Sequence, residues 1–544
     1  MYHEEHALPG FVHARSREQL RLPSVITKGE TPVIYFYTGR SQAVTVEVGF
    51  PTGIWTQWYP QASLVGPRPD ATPLPEPRGG HIRWQATIIP ARESALASSL
   101  PPVGEDALWR YSREVDAAYV KTLNHLGKKS QGEYERFLFY RGLGTAPLPL
   151  RWEESRGGTL SVRPGETGAR HLFVLRVEKG RGVYRYLPGI EPGEEIPGLI
   201  PSMQGARPLA EVTRSIAEDL TKRLTESGLY PREARAMVNT WKNSYFGTEG
   251  TRVLFVLPQA WTDRFIPMKI NPKPTELVRV MVGRLELLTP ERGRQAERAV
   301  RDLASPDGRT RAQAFQLLRQ QGRFVEPILR RVVRTSQDEG VKTLCRKLLL
   351  TDFVTELRAA VHTASDGSLR RDSEVNLRAQ LASLLREIGL KTEAKAEGER
   401  ALAVLRRQPE PSMSKSGSRH WFRAVARAVE GTGDLPATVE AYGKFIQFAS
   451  NTRACGGCHQ QEGPRTMAWF KDWWAGRKYA EAVRLSGQLA ETIEREERAA
   501  REGGSKLARE MRLAYLYEAG GDHDRAAALW ARIAPEGARQ ADGR

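Results

Sequence analysis

Cysteine is almost missing from this chain: Cys345, Cys455 and Cys458 are the three among 544 residues. So few thiols exclude a disulfide-stapled scaffold and a four-cysteine zinc module. Long apolar runs are missing too. Nothing approaches the roughly 18 to 20 apolar residues of a membrane-crossing helix, and "MYHEEHALPGFVHARSREQL" lacks the basic-then-apolar order of a secretory leader. There is no long low-complexity tract. The balance of 40% hydrophobic and 27% charged residues is that of globular domains, and the length allows about three or four of them. Catalytic signatures are equally sparse. No Ser/His/Asp order, phosphate loop or paired-carboxylate site can be assigned, and "SMSK", with Ser-x-x-Lys spacing, stands in a linker without companion motifs.

What is plentiful is positive charge, a formal +18. It is spread along the chain: residues 1–290 hold 37 Lys and Arg against 30 Asp and Glu, and residues 291–544 hold 45 against 34. Arginines interleave with glutamates along helical stretches, the pattern of solvated helix faces. The densest run, "LRRVVRTSQDEGVKTLCRKLLL", has no aromatic platform or recognised binding fold, so no nucleic-acid partner is expected. A basic surface instead suits an acidic redox partner.

Residues 1–290 are rich in strand signals. "QAVTVEVGF" alternates Val44, Val46, Val48 and Phe50 with polar neighbours, and similar runs stand at "PVIYFYT", "IWTQWYP", "HIRWQATII", "RFLFYRG", "HLFVLRVE", "TRVLFVL" and "LVRVMVGRLEL". A β-sandwich-like domain is expected there, interrupted by a helical pair over about 208–246 and joined by Pro- and Gly-rich turns. Trp55, Trp58 and Trp84 are expected in its core, and His81, His125 and His171 show no metal spacing.

From residue 291 the period becomes helical, so the expected fold class is multidomain: a mainly-β N-terminal part followed by an all-α helical-repeat solenoid. Residues 291–365 hold "AVRDLASPDGRTRAQAFQLLRQQGRFVEPILRRVV", with Asp307, Arg311, Ala314, Leu318, Gly322 and Pro327 in an order that resembles a HEAT repeat. Cys345 falls on the apolar side of the following helix and reads as a buried thiol. Residues 366–544 repeat at 44 residues: Ala394, Thr438, Ala482 and Ala526 fall in one register, with Leu381, Val425, Trp469 and Leu513, and Leu385, Val429, Trp473 and Tyr517. Four hairpins follow. "GDLPATVEAYGKFIQF", "GRKYAEAVRLSGQLA" and "GGDHDRAAALWARI" resemble tetratricopeptide repeats, although that family's period is about 34. The resemblance implies a scaffold that holds a protein partner.

The second hairpin, with helices over about His420–Glu430 and Pro436–Ala449, is followed by a loop over 450–464 that carries "ACGGCHQQEGP". Cys455, Cys458 and His459 form Cys-x-x-Cys-His, a run that chance assembles in roughly one shuffled chain in a few thousand. Two thiols one turn apart can form thioethers with both vinyl groups of a haem, and the adjacent imidazole then reaches the iron. Three other readings compete. Zinc would want a second ligand pair, a thioredoxin-type dithiol would want a βαβ setting, and an inert pair asks for nothing. The segment resembles the haem attachment segment of c-type cytochromes. That implies one covalent haem c on Cys455 and Cys458, with His459 as proximal iron ligand.

Helices that begin at the loop's end of the hairpins supply the distal candidates: His420 ranks first, Met467 second and an open site third, with Met413 and Met511 behind them. His523 lies in a turn at the far end and is excluded. Electron transfer or haem-based sensing is the function expected. The alternatives are a scaffold with an empty motif and a peroxidase-like enzyme at an open iron. The c-type resemblance also implies a periplasmic or other extracytoplasmic location, and hence a leader upstream of Met1. With an empty motif the chain is expected in the cytoplasm.

Overall fold

The alternation at residues 42–50 is a strand with one buried face. In the computed structural model Val44, Val46, Val48 and Phe50 are buried, while their neighbours are partly exposed. The structure describes all residues except 1–7, 10, 16–18, 21–24, 30–31, 70–73, 75, 106, 124–131, 154–157, 289, 366–370, 408–417, 452–473, 502–505 and 534–544. The chain divides into two units, Met1–Ile328 and Leu329–Arg544.

Among the described residues the first unit holds four antiparallel sheets. One runs β18 (Met268–Asn271), β4 (Gln42–Phe50), β7 (Gly80–Ile89), β8 (Tyr119–Leu123), β9 (Gly132–Glu135), with β6 (Leu64–Gly66) also on β7. A second runs β1 (His13–Ala14), β5 (Gly53–Tyr59), β10 (Leu138–Gly144), β2 (Thr27–Gly29), with β3 (Val33–Ile34) on β10. Trp55 and Trp84, both 0% exposed, meet Phe50 and Tyr140 in the core between these two sheets. Trp58 lies in the same core. This is the expected sandwich.

The sandwich is half of the unit. A third sheet runs β16 (Arg207–Pro208), β14 (Arg181–Ile190), β13 (Ala169–Glu178), β17 (Gly250–Leu257), β19 (Met281–Leu287). One of its faces packs Phe173, Leu175 and Leu254 against α2 (Leu209–Glu226) and α3 (Pro231–Trp241), the expected helical pair. The other face packs Leu172, Val174 and Val253 with Leu150 and Leu160 of a small fourth sheet, β11 (Leu150–Glu153), β12 (Thr159–Val162) and β15 (Glu195–Pro197). A sheet covered on both faces needs apolar residues at successive positions, which is why β17 is buried throughout. The single sandwich expected over 1–290 is therefore two β cores. Two short helices, α1 (Trp109–Arg113) and α4 (Gln259–Phe265), complete the β part.

The unit boundary also lies later than residue 290: α5 (Pro290–Asp302) and α6 (Gly308–Gln321) belong to the first unit. Asp307 caps α6 by accepting from the Arg309 and Thr310 amides, so the HEAT-like stretch does begin a helix there. The chain crosses into the second unit within α7 (Glu326–Thr335), and α8 (Glu339–Ser365) precedes the hairpins.

Candidate functional site

Among the described residues four helical hairpins follow: α9 (Arg371–Glu387) with α10 (Lys391–Leu405), α11 (Ser418–Thr432) with α12 (Leu435–Asn451), α13 (Trp474–Leu485) with α14 (Leu489–Arg501), and α15 (Lys506–Gly520) with α16 (His523–Ile533). Each turns on a glycine at positive φ: Gly389, Gly433, Gly487 and Gly521, at intervals of 44, 54 and 34 residues. The left-handed conformation ends the first helix and reverses the chain. Aligned on these glycines, the residue seven before is always alanine: Ala382, Ala426, Ala480 and Ala514, none more than 3% exposed. The residue five after is always small and buried: Ala394, Thr438, Thr492 and Ala526. Small side chains at these two points let the paired helices approach closely.

This register corrects the equal spacing of 44 at the third hairpin. Ala482 lies on its first helix, and Thr492 takes the place equivalent to Ala394. The last interval, 34, is the length of a tetratricopeptide unit. The middle interval is twenty residues longer, and 22 positions, 452–473, stand between the end of α12 and the start of α13. Cys455, Cys458, His459, Met467 and Trp469 all fall among these and lie outside the described residues, as does Met413. Met467 is thereby twenty residues before its turn glycine and Met511 ten before its own, so the two are not equivalent as expected.

The second, third and fourth hairpins share one core, in which Phe422, Tyr442, Phe445, Tyr479, Tyr515 and Trp530 are buried. Met511 is 3% exposed in the same core and is committed to packing. His420 is the third residue of α11, and its side chain lies outside the described residues. His523 opens α16 beside the turn Gly521, the end at which it was expected. Among the described residues no group of three or more His, Cys, Asp or Glu is placed to hold a metal ion.

Carboxylates tie consecutive hairpins together. Glu430 of α11 accepts from the Tyr442 hydroxyl at 2.6 Å and pairs with Lys478 of α13 at 2.9 Å, bridging the two hairpins on either side of the segment. Glu496 of α14 pairs with Arg512 of α15 through two bonds of 2.9 Å. Lys478 and Arg512 each stand nine residues before their turn glycine, so the same position reaches back to the preceding hairpin in both cases. Burial, and then the Glu430 charge, hold the Tyr442 phenol well above its ordinary range, so it stays a donor. Burial works against the Lys478 ammonium, but Glu430 and Glu481 outweigh it and hold that group above its ordinary value.

A cleft of about 220 Å³ opens where α8, α9 and α10 meet, floored by Leu381 and Leu385 and rimmed by Arg358, Glu393, Glu397 and Arg400. Arg358 pairs with Glu393, and Arg400 with Glu397. Periodicity alone does not reveal this cleft, because its rim comes from three helices.

Cys345 is where the helical period puts it, 0% exposed. Burial pushes its thiol up to about 11, so at pH 8 the thiol form predominates there. Iodoacetamide at pH 8 is therefore expected to leave Cys345 unmodified in the native chain and to alkylate it after denaturation, as read by peptide mass. Native labelling of Cys345 would contradict this placement.

No family model matches the chain, and no curated protein matches it. Among solved structures, nearly identical TPR-like repeats of a kinesin light chain from Podosopora anserina are 18% identical over 42% of this chain and 98% of that one, with a TM-score of 0.23. BtubC from P. vanneervenii is 16% identical over 46% of this chain and 92% of that one, with a TM-score of 0.21. At these scores the chains do not superpose as wholes. Among the described residues no helix is long and apolar enough to cross a membrane.

Proposed function

We propose that the C-terminal unit is a helical-repeat scaffold for a protein partner. The observation that carries this reading is the four-hairpin register, in which alanines and small residues set the helix spacing while charged rims stay at the surface. The Arg358–Arg400 cleft, apolar at its floor and charged at its edge, is the feature best suited to a docking side chain. Exposed ion pairs like those of Arg358 and Arg400 contribute little to stability, so both can be reversed without unfolding the chain. Affinity purification of the full chain from its own cells is expected to retain a stoichiometric partner. Arg358→Glu with Arg400→Glu is expected to weaken that partner at least tenfold. A full chain that is recovered alone, or a variant that holds the partner as well as the parent, contradicts the reading.

A second reading rests on one feature, Cys455-x-x-Cys458-His459. In this reading the 22 positions between α12 and α13 carry one covalent haem c, the two cysteines forming thioethers and His459 serving as proximal ligand. A haem held there supplies one-electron exchange or ligand sensing at iron. The scaffold then positions an electron carrier or sensor against its partner. Thioether attachment places the chain in an extracytoplasmic compartment. His420, at the start of α11, and Met467 remain the distal candidates, and an iron with no second ligand would permit peroxide chemistry. Absorption spectra of His420→Ala and Met467→Ala decide between them: the ligating residue shifts the ligand-sensitive bands, and no shift in either means that the site is open or served by Met413, Met511 or the β domain.

A further inference from the structure

Among the described residues, strand β14 is an edge whose outer side is paired at Arg181 and Gly182 alone. It joins β13 through Lys179 and Gly180, at φ 47° and 72°, a two-residue turn of the hairpin type whose twist matches the strands. In such a hairpin the closing pair, Glu178 and Arg181, exchanges hydrogen bonds, and bonded pairs alternate from there. Val183, Arg185 and Leu187 therefore turn their backbone groups towards β13, and Gly180, Gly182, Tyr184 and Tyr186 turn theirs outward. The outer lane confirms this parity. The Leu209 amide donates to the Gly180 carbonyl at 3.0 Å, and β16 pairs Arg207 with Gly182 and then Pro208, which has no amide hydrogen, with Arg181.

The chain leaves that lane at a single 3₁₀ turn, Met203–Gly205. Beyond Gly182 no described residue makes a backbone hydrogen bond to the outer side of β14. The open stretch offers the amides and carbonyls of Tyr184 and Tyr186 and stops at Pro188, whose nitrogen can donate nothing on that side. Its side chains are already ordered. The Tyr184 hydroxyl donates to Asp219 at 2.5 Å, while Tyr186 is bonded to the ring of His171 at 3.0 Å and lies 4.6 Å from the Arg223 guanidinium. His171 holds this position with φ at 50°, a conformation most side chains avoid. Arg185, on the opposite face of the strand, is exposed.

We infer that the Tyr184–Pro188 edge receives an extended strand of an acidic partner segment, added antiparallel in the lane that β16 begins. Main-chain bonds to Tyr184 and Tyr186 supply the affinity, as in β-strand addition generally. The partner residue opposite Arg185 stands in a non-hydrogen-bonded pair, where side chains come closest, and a carboxylate is favoured there. Its neighbours fall opposite the two tyrosines, where β-branched residues pair well with aromatic rings. A second copy of this chain is disfavoured as occupant, because antiparallel pairing centred on Arg185 sets two guanidinium groups opposite each other.

The test uses the full chain and a fluorescent pentapeptide of sequence Thr-Val-Glu-Val-Thr, blocked at both ends, read by anisotropy. Saturable binding is expected. N-methylation of both valine nitrogens should abolish it, since those amides face Tyr184 and Tyr186. Arg185→Glu should weaken it at least tenfold and reverse the preference in favour of the peptide with Lys in place of Glu. Absence of saturable binding, equal binding of the N-methylated peptide, indifference to Arg185→Glu, or a wild-type dimer that Arg185→Glu dissociates would each overturn the inference.

Discussion

Tyr442→Ala is expected to destabilise the second unit by about 3–5 kcal/mol, the usual cost of removing a large buried aromatic side chain. Tyr442 is 0% exposed in the core shared by the second, third and fourth hairpins. Its loss opens a cavity among Phe422, Phe445 and Tyr479 and takes from Glu430 its hydrogen-bond donor, leaving that carboxylate with Lys478. Tyr442→Phe separates the two effects. The ring remains and the hydroxyl goes, so the cost falls to about 1 kcal/mol, the net worth of one hydrogen bond. Urea unfolding followed by helical circular dichroism measures both variants. Equal midpoints for the two would mean that the ring does not fill the core as described.

Replacing Cys455 and Cys458 together by alanine is expected to abolish covalent haem when the chain is exported beside a c-type maturation system. Each cysteine accounts for one thioether, so either single substitution leaves attachment through one bond, and the pair leaves none. Cys345 is no substitute, being buried with its thiol pushed up to about 11. His459→Ala keeps both thiols but removes the proximal ligand, so the haem bands shift while attachment persists. Haem that survives denaturing electrophoresis in the double variant would place attachment elsewhere.

Most strands of the first unit were legible because one or both faces are buried and the side chains follow. The period-2 run of β4 and the apolar run of β17 both mark strands. β14 was not legible. Gly182, Pro188 and Gly189 read as turn residues, yet Pro188 is tolerated because its nitrogen faces the unpaired side. The open edge thus escaped a reading of sequence for the same physical reason that leaves it available to a partner strand. Trp55, Trp58 and Trp84 lie in the core as expected, because large apolar rings leave few other options.

In the second unit the hairpins were legible and the third register was not. Ala482 and the Trp469–Trp473 pair satisfy a 44-residue spacing, and Ala482 is itself buried, so apolar matching alone accepts the wrong alignment. The discriminating signal is a combination: alanine, then a turn glycine seven residues on, then a small residue five further. Ala480, Gly487 and Thr492 meet it in the third hairpin, as Ala514, Gly521 and Ala526 do in the fourth. Shifting the turn by ten residues gathers the extra length before α13, in the positions that hold the cysteine pair.

The most direct measurement on a scaffold that carries a haem is the intact mass of the wild-type chain after export beside a c-type maturation system, with peptide mapping of the product. The expected result is a mass increase of one haem, localised to the peptide that contains Cys455, Cys458 and His459. An unmodified mass with both thiols free to alkylate would contradict the haem reading and leave the helical repeats as a protein-binding scaffold alone.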